Sequence, residues 1–244
     1  MSQKIKAPNS KAGSGFLWII VAILAIAAVV VFLVVRNNTG GNQLAAEMPQ
    51  EDVNFTVERE GNSVVLASQD LKADAPVVEI FEDFSCPHCA GLAEADHEDS
   101  LQALNEGKVK IKFNFLNFLD GEATGSSTRG AAVALAVAET GNAKAFWNAH
   151  TAFLTNQTEV ARKWDYEEFG QALQAYDLDQ SVIDSISKGE VQDAVLPVVK
   201  ANADDLTERE GSVSSPLVYA DGKRVELKKG SDNKVQSWVP DVVK

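Results

Sequence analysis

The sequence predicts an α/β domain that follows one apolar segment near the N-terminus. Three features support this fold class: an apolar run at residues 16–35, an alternation of strand-like and helix-like patterns after residue 53, and a pair of cysteines after a strand-like run. Cys86 and Cys89 are the only cysteines among 244 residues. Because so short a spacing closes a ring that restrains little of the unfolded chain, the pair is expected to bind something or to react.

The run at residues 16–35 is an expected membrane anchor. It contains twenty consecutive apolar residues, which is the length needed to cross a bilayer core of about 30 Å. Three lysines and no acidic residue precede it, and Arg36 follows it. The positive-inside rule therefore predicts that residues 1–15 stay in the cytoplasm and that residues 37–244 lie outside the cell membrane. A cleaved signal peptide is the alternative, but its apolar region usually spans only about 7–15 residues.

Charge divides the chain at the same place. The formal net charge is −13, from 22 basic and 35 acidic residues. Residues 1–36 hold four of the basic residues and none of the acidic ones, which leaves 18 basic and 35 acidic residues, or −17, in the exported part. Such a surface repels nucleic acid and anionic lipid, so no polynucleotide partner is expected.

The exported part is predicted to consist of a tether and one domain. Residues 36–52 are polar, contain glycine and show no periodicity, which is typical of a flexible tether. Residues 53–244, about 190 residues, are enough to bury the core of a single domain.

The domain alternates between the two periodicities. Val109, Ile111, Phe113 and Phe115 share one face of a predicted strand, and Asp221-Gly222 predicts a two-residue hairpin turn. The predicted strands are residues 53–58, 77–81, 109–115, 217–220 and 224–227, and a turn at Gly61-Asn62 follows the first of them. The predicted helices are residues 86–107, 128–140, 143–154, 166–176 and 180–186, a helix that Pro197 breaks or starts and that ends at Gly211, and residues 231–238. Ser231 would cap the last helix and Pro240 would end it.

The order of these elements predicts a specific arrangement. Without the helices at about 125–190, the order is β-α-β-α-β-β-α, with a parallel crossover first and a hairpin later. This is the thioredoxin arrangement, and a C-x-x-C motif at the end of the first core strand is where that fold carries a redox pair.

The chain resembles the DsbA-like thiol-disulfide oxidoreductases, a thioredoxin-fold family with a helical insertion. The matching features are FSCPHC at residues 84–89, the helical insert at about 125–190 and SSPLVY at residues 214–219, and the likeness covers roughly residues 76–244. The resemblance implies that Cys86 and Cys89 form the redox pair and that Pro216 is the cis-proline beside it. Ser215, a binding position, stands where the family usually has Val or Thr.

The family often places a buried acid six residues before its first cysteine, and this chain departs from that pattern. Ile80 occupies the position, while Glu79 and Glu82 lie nearby. Glu82 is the candidate for proton management.

The residues around Cys86 favour its thiolate, which is the reactive form of cysteine. Cys86 is predicted at the start of a helix, where unpaired N–H groups and the positive end of the helix dipole meet its sulfur. Pro87 suits the first helical turn, and His88 adds a donor or a positive charge. Stabilising the reduced form makes the disulfide a better oxidant, so an oxidase of reduced exported proteins is expected.

With no third cysteine, the protein needs an external electron acceptor and no bound cofactor. The resemblance implies a membrane quinone-linked partner, either a DsbB-type protein or a vitamin K epoxide reductase homologue. A disulfide reductase or isomerase is the alternative on the same fold.

A binding protein is the alternative from a different class, either a metal carrier or a chaperone-like surface. Zinc or copper could bind the two cysteines and His88, but structural zinc needs four ligands and the sequence has no second C-x-x-C motif. No metal site is therefore expected. His97 and His150 are interpreted as ordinary surface or packing residues.

Overall fold

The computed structural model describes residues 43–121 and 123–244. Within them the strands are β1 (Thr56–Glu60), β2 (Ser63–Ala67), β3 (Val77–Asp83), β4 (Lys110–Leu116), β5 (Leu217–Ala220) and β6 (Lys223–Arg224). The helices are α1 (Pro87–Asn105), α2 (Ser126–Glu139), α3 (Ala143–Thr155), α4 (Tyr166–Leu173), α5 (Gln180–Ser187), α6 (Gln192–Glu210) and α7 (Val239–Val242), with a 3-10 turn at Phe118–Asp120. Residues 43–47, at the start of the described chain, are also helical.

The strands form one sheet in the order β1-β2-β4-β3-β5-β6. β3 and β4 are parallel and are connected through α1, whereas the other neighbouring strands are antiparallel. Ile80 of β3 lies opposite Phe113 of β4 and Val218 of β5. β3 is therefore an inner strand with hydrogen-bonded neighbours on both sides, which fixes the position of the residues that follow it.

The alternating pattern of β4 predicted its buried face correctly. Val109 precedes the strand, and Ile111, Phe113 and Phe115 lie within it; all four are buried in the main core. The helices complete this core, since α1 packs against α3 and α7, while α6 packs against β4 and α2. The predicted α/β thioredoxin-like fold is confirmed.

Local signals explain the boundaries of the insert helices, α2 to α5. Asn142 caps α3, because its side chain accepts a hydrogen bond from the Ala145 amide at 2.9 Å. Asp165 and Glu168 form a capping box at the start of α4, in which each side chain satisfies an amide that the helix leaves free. Four α-helices thus lie in the described chain between β4 and α6.

The two hairpins follow their predicted turns. Gly61 adopts φ +62° between β1 and β2, and Asp221 and Gly222 adopt φ of 48° and 74° between β5 and β6. In the β5–β6 hairpin, positive φ at both central residues matches the right-handed twist of the flanking strands. β6 is shorter than predicted, although the Val225 amide still donates to the Val218 carbonyl at 2.8 Å.

Two helix predictions near the C-terminus were wrong. Pro197 neither breaks nor starts a helix; it lies inside α6, where the neighbouring Val198 is buried and its packing offsets the missing hydrogen bond. Residues 231–238 form turns and an isolated bridge between Lys229 and Val235. Pro240 does not end a helix but lies in the first turn of α7, a position that proline also favours.

The predicted anchor at residues 16–35 lies outside the described residues. None of the helices in the described chain is both long enough and apolar enough to cross a membrane.

Candidate active site

The two cysteines lie where β3 passes into α1. β3 ends at Asp83 and α1 begins at Pro87, so Cys86 is the N-cap residue of the helix. The Cys86 amide donates to the Asp83 carbonyl at 2.9 Å, which closes the turn between strand and helix. Pro87 occupies the first helical turn, where a missing N–H costs nothing. The free amides and the positive end of the α1 dipole are therefore close to the Cys86 sulfur.

Cys86 is placed in surroundings that favour its thiolate. Its sulfur lies 3.5 Å from the Ser215 carbonyl oxygen, and the Ser215–Pro216 peptide bond is cis. The pKa of Cys86 is lowered from 9.0 to about 5, mainly by a hydrogen bond with Cys89, against the opposing effect of burial. The Ser215 hydroxyl and the main-chain amides of Cys89 and His88 lower this pKa further. Cys86 is therefore a thiolate at neutral pH.

Cys89 has the opposite character. It lies in the first turns of α1 and is 2 % exposed, and its sulfur accepts a hydrogen bond from the Asp83 amide at 3.5 Å. Burial, followed by the interaction with Cys86, raises the pKa of Cys89 well above 9.0. Both cysteines are free thiols in the structure, and only Cys86 is prepared to carry a negative charge.

A groove brings four of the predicted site residues together. It has a volume of about 740 Å³ and lies between α1, the residues before β5 and the segment at 227–236. Pro87, His88, Ser215 and Pro216 line it. His88 is exposed, and the hydrogen bond by which it affects Cys86 comes from its main-chain amide. The sequence predicts a donor or a positive charge from His88, and the donor is its main-chain amide.

Glu82 is buried and has a partner that sequence reasoning missed. Its carboxylate pairs with Nε2 of His150, and both side chains are almost inaccessible to solvent. The His150 ring packs against Phe113, with ring centroids 4.4 Å apart. Ile80 lies in the core, and Glu79 forms an ion pair that is partly exposed. The interpretation of His150 as an ordinary surface or packing residue therefore overlooked a buried polar pair.

A small, partly open space lies between this pair and Cys89. Its volume is about 20 Å³, which is enough for one water molecule. Cys89, Glu82, His150, Asp96 and Ser100 are among the residues that line it. The lining is thus strongly polar for a space inside a core.

Asp96 is the second buried acid at this space, and no local sequence pattern marks it. It lies on α1 and accepts a hydrogen bond from the indole N–H of Trp238 at 2.5 Å. Burial, partly offset by this hydrogen bond, raises the pKa of Asp96 from 3.8 to about 8. Asp96 is therefore mainly protonated at neutral pH and can donate a proton inside the protein.

A metal centre has no support among the described side chains. No group of three or more His, Cys, Asp or Glu residues at 43–121 and 123–244 is arranged to hold a metal ion.

Comparisons with known proteins agree with this geometry. A thioredoxin family model matches residues 72–240, more than half of the chain. The structure is similar to the MdbA protein, a thiol-disulfide oxidoreductase from Corynebacterium diphtheriae, with 33 % identity and a TM-score of 0.72 over 76 % of this chain and 94 % of that one. For the MdbA protein from Corynebacterium matruchotii the identity is 27 % and the TM-score 0.70, over 79 % and 94 %.

A more distant likeness shows the fold alone. DsbA from Mycobacterium tuberculosis has 22 % identity and a TM-score of 0.55, over 69 % of this chain and 87 % of that one. A comparison with curated protein sequences gives no match. The family model and the 33 % identity to MdbA show that the chain belongs to the thioredoxin family, among its DsbA-like members.

Proposed function

We propose that this protein is an oxidase that introduces disulfide bonds into exported proteins. Its family and its site make it a DsbA-like protein thiol-disulfide oxidoreductase, and the proposal concerns the direction in which it works. The supporting observation is the pKa of Cys86, lowered to about 5. A stabilised thiolate favours the reduced enzyme and therefore makes its disulfide a strong electron acceptor.

The proposed reaction begins with the Cys86–Cys89 disulfide. A substrate thiolate attacks Cys86 Sγ, a mixed disulfide forms, and Cys89 leaves. A second substrate thiolate then attacks the substrate sulfur of the mixed disulfide, and Cys86 leaves as a thiolate. The substrate has lost two electrons and gained a disulfide, and the enzyme holds the two electrons as reduced cysteines.

Cys89 needs a proton as it leaves, because burial opposes its anion. Asp96 and the Glu82–His150 pair are proposed to supply and later remove this proton, since all three residues line the small space beside Cys89. Glu82 thus keeps the role that was expected from the sequence, together with two residues that were not foreseen.

Reoxidation is proposed to use an external acceptor, because the chain has no third cysteine to pass electrons on. A membrane quinone-linked protein of the DsbB type or a vitamin K epoxide reductase homologue would take electrons from the reduced pair. The groove beside Pro87 and Pro216 is available both to this partner and to substrates.

The test of the function is a direct assay. The oxidised protein, incubated with a reduced and unfolded substrate, should lose its disulfide while the substrate gains one. The thiols of the reduced protein should titrate equally with and without added zinc or Cu(I) under anaerobic conditions. Thiols that are protected by metal, in a protein that leaves the substrate reduced, would instead identify a binding protein.

The location is proposed from the sequence pattern: an uncleaved anchor at residues 16–35, with residues 37–244 outside the cell membrane. Protease added to intact cells should remove the domain and leave a small stub in the membrane. A domain that resists this protease until the cells are broken would contradict the orientation, and a domain found free in the medium at full yield would contradict the retained anchor.

A further inference from the structure

The turn that carries the nucleophile, residues 84–86, is held by the loop at residues 156–165, which follows α3 within the helical insert. Gln157 donates from Nε2 to the carbonyl of Cys86 at 2.8 Å and to that of Phe84 at 3.4 Å. Arg162 donates from Nη2 to the carbonyl of Ser85 at 2.6 Å. Two side chains of one loop thus bind three successive carbonyl groups of the turn.

Gln157 is a costly residue to place there. It is 3 % exposed, and its Oε1 has no hydrogen-bond partner within the described chain. The orientation of the amide is fixed, since the opposite orientation would direct Oε1 at two carbonyl oxygens. A buried acceptor without a partner destabilises a fold, and an apolar side chain of similar length would avoid that cost. The two N–H donors are therefore the feature of Gln157 that benefits the site.

Arg162 adds a charge to the same contact. Its guanidinium forms no ion pair with a carboxylate of the described residues, although the chain carries an excess of acidic groups. The positive charge is thus available to the turn, one residue before the nucleophile. An uncompensated cation nearby favours the anionic form of a titrating group.

The insert also contacts the turn through α2, which limits how far the turn can move. Ser126 Oγ lies 2.8 Å from Ser85 Oγ. Gly130 lies so close to Phe84 that a Cβ at Gly130 would be 2.6 Å from the Phe84 Cβ. The turn is therefore packed against the insert, while Cys86 Sγ contacts Ser215 of the thioredoxin core.

We propose that Gln157 and Arg162 are positioning residues that set the reactivity of Cys86, so that the helical insert tunes a dithiol carried by the thioredoxin core. The proposal rests on the redox role of Cys86. By binding the carbonyl oxygens, the two side chains fix the peptide groups of the turn and offset their negative ends. This keeps the α1 amides oriented towards the sulfur and makes the electrostatic environment of Cys86 more positive.

The experiment uses Gln157→Met, which keeps the side-chain length, and Arg162→Met, which keeps an apolar stem; both remove the donors. The fraction of Cys86 present as thiolate is followed against pH by ultraviolet absorbance, and the equilibrium with glutathione is measured for each variant. We expect the ratio of thiolate to thiol at a fixed pH to fall about three- to tenfold, which is a rise of about half to one unit in the pKa of Cys86. The equilibrium with glutathione should shift towards the disulfide form. Arg162→Lys, which retains the charge, should recover part of the change.

Two matched controls separate this role from stability. Asn148→Leu removes another buried amide that donates to main-chain carbonyls, those of Glu51 and Lys144, and Lys163→Met removes the neighbouring exposed charge. Both should titrate as the wild type does, even where the melting temperature falls. If Cys86 titrates in Gln157→Met and Arg162→Met as it does in the wild type, the proposal is overturned. If Gln157→Met does not fold, the titration of Cys86 in Arg162→Met gives the answer by itself. A wild-type reduction potential as low as that of thioredoxin would refute the oxidase assignment but would leave the positioning role of Gln157 and Arg162 standing.

Discussion

Cys89→Ser is expected to stop turnover and to leave the protein covalently joined to its substrate through Cys86. The environment of Cys86 lowers its pKa to about 5, whereas burial raises the pKa of Cys89, so Cys86 is the sulfur that exchanges with substrates. In the Cys89→Ser protein the Cys86 thiolate attacks a substrate disulfide, one substrate thiolate leaves, and a mixed disulfide with Cys86 forms. Without Cys89, a mixed disulfide has no internal thiol to resolve it. The complex should be visible as a larger species on a non-reducing gel, and reduction should dissolve it.

Cys86→Ser is the matched variant, and it should lose turnover without trapping substrate. Cys89 is somewhat less exposed than Cys86 (2 % against 5 %), and burial raises its pKa, so it is the poorer partner for a substrate sulfur. Mass spectrometry of the trapped species identifies the linked sulfur. A substrate found on Cys89 in the Cys86→Ser protein, with none on Cys86 in the Cys89→Ser protein, would reverse the roles assigned to the two cysteines.

Asp96→Asn is expected to stabilise the protein at high pH. The pKa of Asp96 is 3.8 in the unfolded chain and about 8 in the folded protein, so its favourable contribution is complete below pH 3.8. The free energy of unfolding should then fall as the pH rises towards and through 8, because the unfolded chain releases this proton first. Asn stays neutral and can still accept the Trp238 hydrogen bond. At about 1.4 kcal/mol for each unit, the difference should reach several kcal/mol.

Denaturant unfolding of the oxidised protein between pH 4 and pH 9 measures this difference without a contribution from the thiols. Glu98→Gln removes an exposed carboxylate from the same helix and should follow the wild-type curve. Parallel curves for Asp96→Asn and the wild type across this range would show that Asp96 ionises normally, and its role as a proton donor to Cys89 would then be lost.

Local patterns predicted the parts of the site that neighbouring residues determine. The strand before Cys86, the helix that begins at Pro87 and the turn at Asp221-Gly222 each follow from a few adjacent residues, because N-caps, first-turn prolines and hairpin turns are local structures. The same reasoning failed for Pro240, since a proline can end one helix or begin the next. Nothing in the adjacent sequence distinguishes these two cases.

Contacts between distant residues could not be predicted in this way. His150 and Glu82 are 68 positions apart, and Trp238 and Asp96 are 142 apart. Each pair forms only because packing of the insert or of the C-terminus buries two polar groups together. Gln157 and Arg162 likewise reach the active-site turn from a loop more than 70 positions away. The cysteines and Glu82 were visible in the sequence, but the other groups proposed to control the protons and reactivity of the cysteines, His150, Asp96, Gln157 and Arg162, were not.

The reduction potential of the Cys86–Cys89 couple tests the proposed function most directly. It can be measured on the purified domain by equilibration with glutathione, followed by quantification of the free thiols. The stabilised Cys86 thiolate predicts a potential clearly more oxidising than that of thioredoxin, which is about −270 mV. A potential at or below the thioredoxin value would contradict the oxidase assignment and identify the protein as a reductase.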